Sequence, residues 1–134
     1  MAANATMLSS ALPAAMAGAM IAAVDLMESG QAVREDLAGK AGYLKKGLRD
    51  IGYSVLGSHD LPSVPLFIGD ENLGIAFARR MRDLGAFCPI MRWPGVPAGK
   101  ARFRFSLMAA HERRHLDRLI DICDAVGHEI GLLR

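Results

Sequence analysis

Apolar residues recur at helical spacing in four segments of the chain. The first begins within Ser9–Pro13, runs to about Ser29 and is apolar almost throughout, which predicts a buried, alanine- and methionine-rich helix ended by Gly30. The other three alternate apolar and charged positions at the period of an amphipathic helix. They run from about Ala32 to Ile51, from Asn72 to Leu84, and from His111 to Val126.

Short strand-like segments separate these helices. They are Tyr53–Leu56, Val64–Ile68, Ala86–Met91 and Ala101–Leu107. Pro65 cannot donate a ladder hydrogen bond, so it belongs either in an edge strand or at the start of a strand. The order helix, helix, strand, strand, helix, strand, strand, helix predicts an α+β fold. We expect a two-layer sandwich, in which a small, mostly antiparallel sheet carries helices on one face.

Composition narrows the classes of function. The chain has 134 residues and a formal net charge of +2, without a clustered basic face, so we expect no nucleic-acid binding. The apolar segment that Asp25 ends is shorter than the ~20 residues of a membrane span, and no Lys or Arg precedes it as in a signal peptide. Cys88 and Cys123 lack C-x-x-C spacing. They predict free, buried thiols in a cytoplasmic protein.

One motif imitates a zinc site. His111-Glu112-Arg113-Arg114-His115 spells H-E-x-x-H, the pattern in which two histidines on one helical face bind metal. Two arginines stand between the histidines, no third ligand is evident beyond a possible Glu129, and three fixed letters often match by chance. We therefore interpret this stretch as an exposed first helical turn and predict no metal.

The last strand carries two arginines on one face. Phe103 and Phe105 alternate with Arg102 and Arg104, so the aromatic rings share one face and the guanidinium groups the other. A solvated face with salt bridges is the simpler interpretation of this pattern. The alternative is a site for a carboxylate, because arginine offers planar, bidentate hydrogen bonding. The four lysines, Lys40, Lys45, Lys46 and Lys100, lie in exposed-looking stretches unsuited to Schiff-base chemistry.

Several stretches together resemble a known family. They are Leu8–Ala14, Val64–Asp70, Pro94–Arg104, Met108–Glu112 and Leu116–Leu119, and the run P-G-V-P-A-G-K-A-R-F-R is the most specific. From about Asn4 onward the chain resembles the C-terminal small domain of the α-oxoamine synthases, which are fold-type-I enzymes that use pyridoxal 5'-phosphate (PLP). Two residues depart from the family pattern: Ala14, where the family usually has a second proline, and Trp93, where a smaller residue or a proline is expected.

The resemblance implies roles for individual residues. Arg104 stands seven residues before the histidine of the turn Ala109-Ala110-His111, the A-A-H turn. The family's arginine at this position binds the carboxylate of the amino-acid substrate, and Arg102 would support it. Ser9 and Ser10 resemble a segment that reaches the cofactor phosphate of the partner subunit, although helix capping explains these hydroxyls equally well. Arg104 thereby becomes the favoured candidate for substrate binding.

The resemblance also implies how the chain is organised. We expect residues 1–30 to form an inter-domain helical segment and residues 31–134 the C-terminal small domain of a homodimer. The lysine that anchors PLP would lie in a large domain missing from this chain. The complete enzyme would condense an amino acid with an acyl-CoA, whereas this chain alone would be inactive. The alternative is a non-catalytic interaction module derived from the same domain.

Overall fold

The computed structural model describes residues 12–57 and 61–134. Its elements, in chain order, are helix α1 (Ala14–Ser29), helix α2 (Gln31–Asp50), strand β1 (Ser63–Gly69), helix α3 (Glu71–Asp83), strand β2 (Ile90–Met91), strand β3 (Ala101–Ser106) and helix α4 (Arg113–Glu129). The chain divides into two compact units, Met1–Val33 and Arg34–Arg134. The predicted division after residue 30 stays a prediction.

Helix α1 forms where the apolar run predicts it, but it has no buried residue. Ile21, Leu26 and Met27 are each about two-thirds exposed or more. The prediction of a buried helix was therefore wrong for this unit, because a helix that is apolar all round needs neighbours on every side. The other described residues of the unit, 12–13 and 30–33, are too few to cover it. In the described ranges, no helix is long and apolar enough to cross a membrane.

The sheet of the second unit has three antiparallel strands in the order β1-β3-β2. Pro65 lies in an edge strand, as predicted. The predicted strand Tyr53–Leu56 was wrong, because only an isolated bridge joins Val55 to Leu66. Leu56 donates its N–H to the carbonyl oxygen of Pro65, but proline has no N–H to return the bond, so the ladder stops. The predicted strand Ala86–Met91 is reduced to the two residues of β2.

One hydrophobic core lies between the sheet and the helices of the second unit. Alternate residues of β1 and β3 are buried, and rings of Phe77 in α3 and Phe103 in β3 lie 5.3 Å apart between centroids. Helices α2 and α4 add Leu44, Leu48 and Val126, each with no exposed surface. All belong to one cluster. The α+β sandwich with a small antiparallel sheet is thus confirmed.

Candidate substrate-binding cavity

The alternation of β3 places its two arginines opposite the core. Phe103 and Phe105 are buried, whereas Arg104 is exposed and Arg102 is partly buried. Strand geometry forces this outcome, since successive side chains point to opposite faces. Among the described residues, no carboxylate lies within ion-pair distance of the Arg104 guanidinium. Its charge is therefore available to an anionic ligand.

Arg104 lines a cavity of about 530 Å³ between β3, the loop after α3 and the first turns of α4. Its apolar wall includes Met81, Phe105, Leu107, Leu116, Leu119 and Ile122. Four basic residues line it as well: Arg104, His111, His115 and Arg118. No aspartate or glutamate is among the described residues that line it. A cavity with apolar walls, several basic residues and no described carboxylate suits an anion with an apolar body.

The turn between β3 and α4 positions His111 at this cavity. The backbone N–H of Met108 donates to His111 Nδ1 over 3.1 Å, and the N–H of His111 donates to the carbonyl oxygen of Met108 over 3.0 Å. From α2, Lys40 Nζ donates to the carbonyl oxygen of Ala109 over 2.7 Å. These bonds fix the A-A-H turn and hold the imidazole of His111 in place.

The H-E-x-x-H stretch forms a helix cap. Helix α4 begins at Arg113, so His111 precedes the helix and does not share a helical face with His115. Glu112 caps the helix, and its backbone N–H donates to His115 Nδ1 over 3.1 Å. Over residues 12–57 and 61–134, no group of three His, Cys, Asp or Glu residues is placed to hold a metal ion. Glu112 to His115 are exposed at the start of α4, as the sequence predicted, and the capping role of Glu112 is added by the structure. The absence of a metal stays a prediction.

Arg118 and Cys88 also contribute polar groups to the wall of the cavity. Arg118 Nη2 donates to the carbonyl oxygen of Leu84, the C-cap of α3, over 3.2 Å. The Cys88 thiol lies 3.6 Å from the carbonyl oxygen of Arg104, to which it donates. Burial raises the pKa of the Cys88 thiol, and the nearby Arg104 charge offsets part of that rise. Cys88 and Cys123 are both free and buried, as predicted.

Of the four predicted site residues, the structure describes Arg102 and Arg104, and only Arg104 lies at the cavity. Arg104 lines the cavity, while Arg102 does not and instead donates its Nε–H to the carbonyl oxygen of Lys100 over 3.2 Å. Ser9 and Ser10 lie outside the described residues. The roles assigned to all four therefore stay predictions.

Sequence reasoning missed the other basic residues of the cavity. His115 and Arg118, with Leu119 and Ile122, share one face of α4 at spacings of three, four and seven residues. The sequence shows this spacing, which predicts that the four residues lie on one face of a helix. It could not show that the surface faces Arg104, because this depends on how α4 packs on the sheet.

The chain matches the family described as "Aminotransferase class I and II" over residues 1–122. It belongs to the class I and II aminotransferase family. The resemblance to α-oxoamine synthases is also confirmed, because the chain is 39% identical over 127 residues to the 8-amino-7-oxononanoate synthase of Geobacter metallireducens. This match covers 93% of the chain and 32% of the relative.

Two further proteins are similar to this chain, one in sequence and one in fold. The 8-amino-7-oxononanoate synthase/2-amino-3-ketobutyrate coenzyme A ligase of Thermus thermophilus is 34% identical over 91% of the chain and 31% of its own length. A serine palmitoyltransferase from S. paucimobilis, solved with bound PLP, superposes with a TM-score of 0.76 at 22% identity. That match covers 82% of this chain and 28% of the other. The chain thus spans about a third of the length of the curated relatives it matches.

PLP enzymes hold their cofactor through a lysine amine. The question is therefore whether any of the chain's four lysines is placed to bind PLP. None of the four lines the Arg104 cavity. Lys40 binds Asp36 and Ala109, Lys46 binds Asp50, and Lys100 lies over the ring of Phe67. Lys45 has no exposed surface and donates to the carbonyl oxygen of Leu61, so its predicted exposure was wrong. None of the four lysines is therefore placed to anchor a cofactor at this cavity.

Proposed function

We propose that this chain is the C-terminal small domain of a PLP-dependent acyltransferase of the α-oxoamine synthase type. Such an enzyme condenses an amino acid with an acyl-CoA and releases CoA and carbon dioxide, with the cofactor serving as the electron sink. Two observations support the proposal: the similarity to 8-amino-7-oxononanoate synthases, and the fraction of their length that the chain spans. The lysine that anchors the cofactor then comes from a large domain outside these residues.

The proposed role of this domain is to hold the amino acid by its carboxylate. The observation that carries it is that Arg104 is exposed, lines a cavity with no described acid and has no ion-pair partner among the described residues. Two parallel N–H donors match the two oxygens of a carboxylate and fix its orientation, which is a positioning role. Arg102, two residues away on the same strand face, would add positive charge without entering the cavity.

The proposed assembly is a homodimer in which Ser9 and Ser10 contact the cofactor phosphate of the partner subunit. A hydroxyl near a helix start is suited to such a contact, because the N–H groups of the first turn also attract phosphate. This part of the proposal rests on the family resemblance alone.

The test is a titration of the isotope-labelled chain with L-alanine, followed by NMR at the Arg104 Nε–H. L-Alaninamide is the matched ligand, because it keeps the ammonium group and lacks the carboxylate. We expect saturable shifts with L-alanine and none with the amide. R104Q should abolish the L-alanine shifts, since a charge-assisted bidentate contact is lost.

R102Q is the matched control variant, because it removes the same charge from the same strand face outside the cavity. We expect R102Q to bind L-alanine within about threefold of the unsubstituted chain, since an exposed charge acts weakly through solvent. Retention of L-alanine binding by R104Q would refute the role of Arg104. Absence of carboxylate-dependent binding in the unsubstituted chain would favour the non-catalytic interaction module instead.

A further inference from the structure

A second group of basic residues lines the cavity on the side of α4, and the proposed role of Arg104 does not use it. His111, His115 and Arg118 make up this group, which we call the α4 triad. His111 lies in the turn before α4, and His115 and Arg118 lie in the first two turns of the helix. Each of the three side chains forms a hydrogen bond with a backbone group.

Both histidines are oriented by backbone hydrogen bonds. The Nδ1 atoms of His111 and His115 accept backbone N–H groups, from Met108 and Glu112 respectively, each over 3.1 Å. A neutral imidazole that accepts at Nδ1 carries its proton at Nε2. The two rings lie 6.3 Å apart between centroids. Each ring therefore offers one Nε2–H donor from a position set by the backbone.

Arg118 supplies the positive charge of the triad. One guanidinium N–H reaches the carbonyl oxygen of Leu84, which orients the group and leaves its remaining donors for a ligand. Two acidic side chains near the triad, those of Glu112 and Asp117, are engaged elsewhere. Glu112 pairs with Arg114, and Asp117 bonds to Tyr43 and lies 3.8 Å from Arg113. Within the described part of the chain, no carboxylate forms an ion pair with Arg118.

We propose that the α4 triad is a second oxyanion site of the cavity, separate from Arg104. It takes a phosphate or carboxylate group of a ligand whose apolar part lies along Leu116 and Ile122. Donors already held by backbone bonds lose little freedom when a ligand arrives, so they bind more tightly than mobile side chains would. The inference goes beyond the proposed function, because the site needs neither a cofactor nor an amino acid.

The test is a titration of the labelled chain with inorganic phosphate, followed by NMR shifts of the histidine rings and the Arg118 Nε–H. Two variants probe the site. R118Q removes the charge, and H115N keeps an acceptor for the Glu112 N–H while losing the Nε2–H donor. We expect each to weaken phosphate binding about tenfold, as the loss of a hydrogen bond to a charged group implies. Acetate in a parallel titration distinguishes a phosphate site from a carboxylate site by which anion binds more tightly.

The matched control is R114Q, because Arg114 lies on α4 beside the triad, pairs with Glu112 and does not line the cavity. R114Q should bind phosphate within about threefold of the unsubstituted chain. Equal losses in R114Q and R118Q would overturn the proposal, since they would mean diffuse charge attraction.

The variant R104Q separates this proposal from the proposed function. If R104Q weakens phosphate binding as much as R118Q does, the cavity has one anion site centred on Arg104, and the second site is refuted while the role of Arg104 stands. If R104Q loses L-alanine and keeps phosphate, two sites are established. Unchanged phosphate affinity in both R118Q and H115N would also refute the triad, whatever the result for L-alanine.

Discussion

Replacing Gly127 by alanine is expected to destabilise the protein through a single close contact. Gly127 lies in the last turns of α4 and is buried. A Cβ atom there would overlap the hydroxyl oxygen of Tyr53 and lie 2.8 Å from the Cγ and Cδ1 atoms of Leu133. Leu133 can turn aside, but the Tyr53 hydroxyl donates to the carbonyl oxygen of Cys123 over 2.8 Å inside the core. The new methyl group therefore breaks a buried hydrogen bond.

The magnitude follows from three contributions. Losing the bond and leaving its groups buried costs about 1–3 kcal/mol. Overpacking beside Leu133 adds about 1–3 kcal/mol. Alanine is better than glycine in a helix by about 1 kcal/mol, which offsets part of the cost. The net expectation is a loss of roughly 3 kcal/mol in the free energy of unfolding, against a typical total of about 5–15 kcal/mol.

The assay is urea unfolding followed by circular dichroism, with Gly42→Ala as the matched control. Gly42 lies inside α2, and an added Cβ there meets nothing within 4 Å. This control should stabilise the chain by about 0.5–1 kcal/mol. Adding Tyr53→Phe to Gly127→Ala should recover part of the loss, because the offending hydroxyl is gone. Equal stabilisation by both alanine substitutions, or no recovery in the double variant, would refute the reasoning.

Two further predictions concern pH and turnover. Burial raises the pKa of Cys123 to about 12 and also raises the pKa of Tyr53. In the unfolded chain these groups have lower pKa values and lose their protons first. The free energy of unfolding should therefore fall as pH rises from about 9 toward 12. The thiol alone contributes a fall of up to roughly 1.4 kcal/mol per pH unit. Cys123→Ala should flatten that decline in urea unfolding at several pH values, and an unchanged slope would contradict it. Because no lysine lines the Arg104 cavity, the chain alone should release no CoA from an acyl-CoA supplied with PLP and an amino acid. A thiol assay that detects CoA would disprove this.

The sequence predicted those parts of the fold that depend on local periodicity. The helices α2, α3 and α4 and the strands β1 and β3 lie close to their predicted positions, because their apolar and polar positions alternate with one clear period. Tyr53–Leu56 fails as a strand although its composition is strand-like. Its pairing depends on the partner, and Pro65 cannot return the hydrogen bond that would extend the ladder.

By itself, the sequence determined the fold class, the family and the exposure of Arg104, since these follow from alternation along a strand and from a specific run of residues. Only the tertiary structure decided what surrounds Arg104. It brings His111, His115 and Arg118 to the same cavity and buries Lys45, which the sequence had marked as exposed. The physical reason is that residue spacing specifies which face of an element a side chain occupies. Which residues lie opposite that face depends on how α4 and α2 pack around the sheet, and the spacing within one element does not predict this packing.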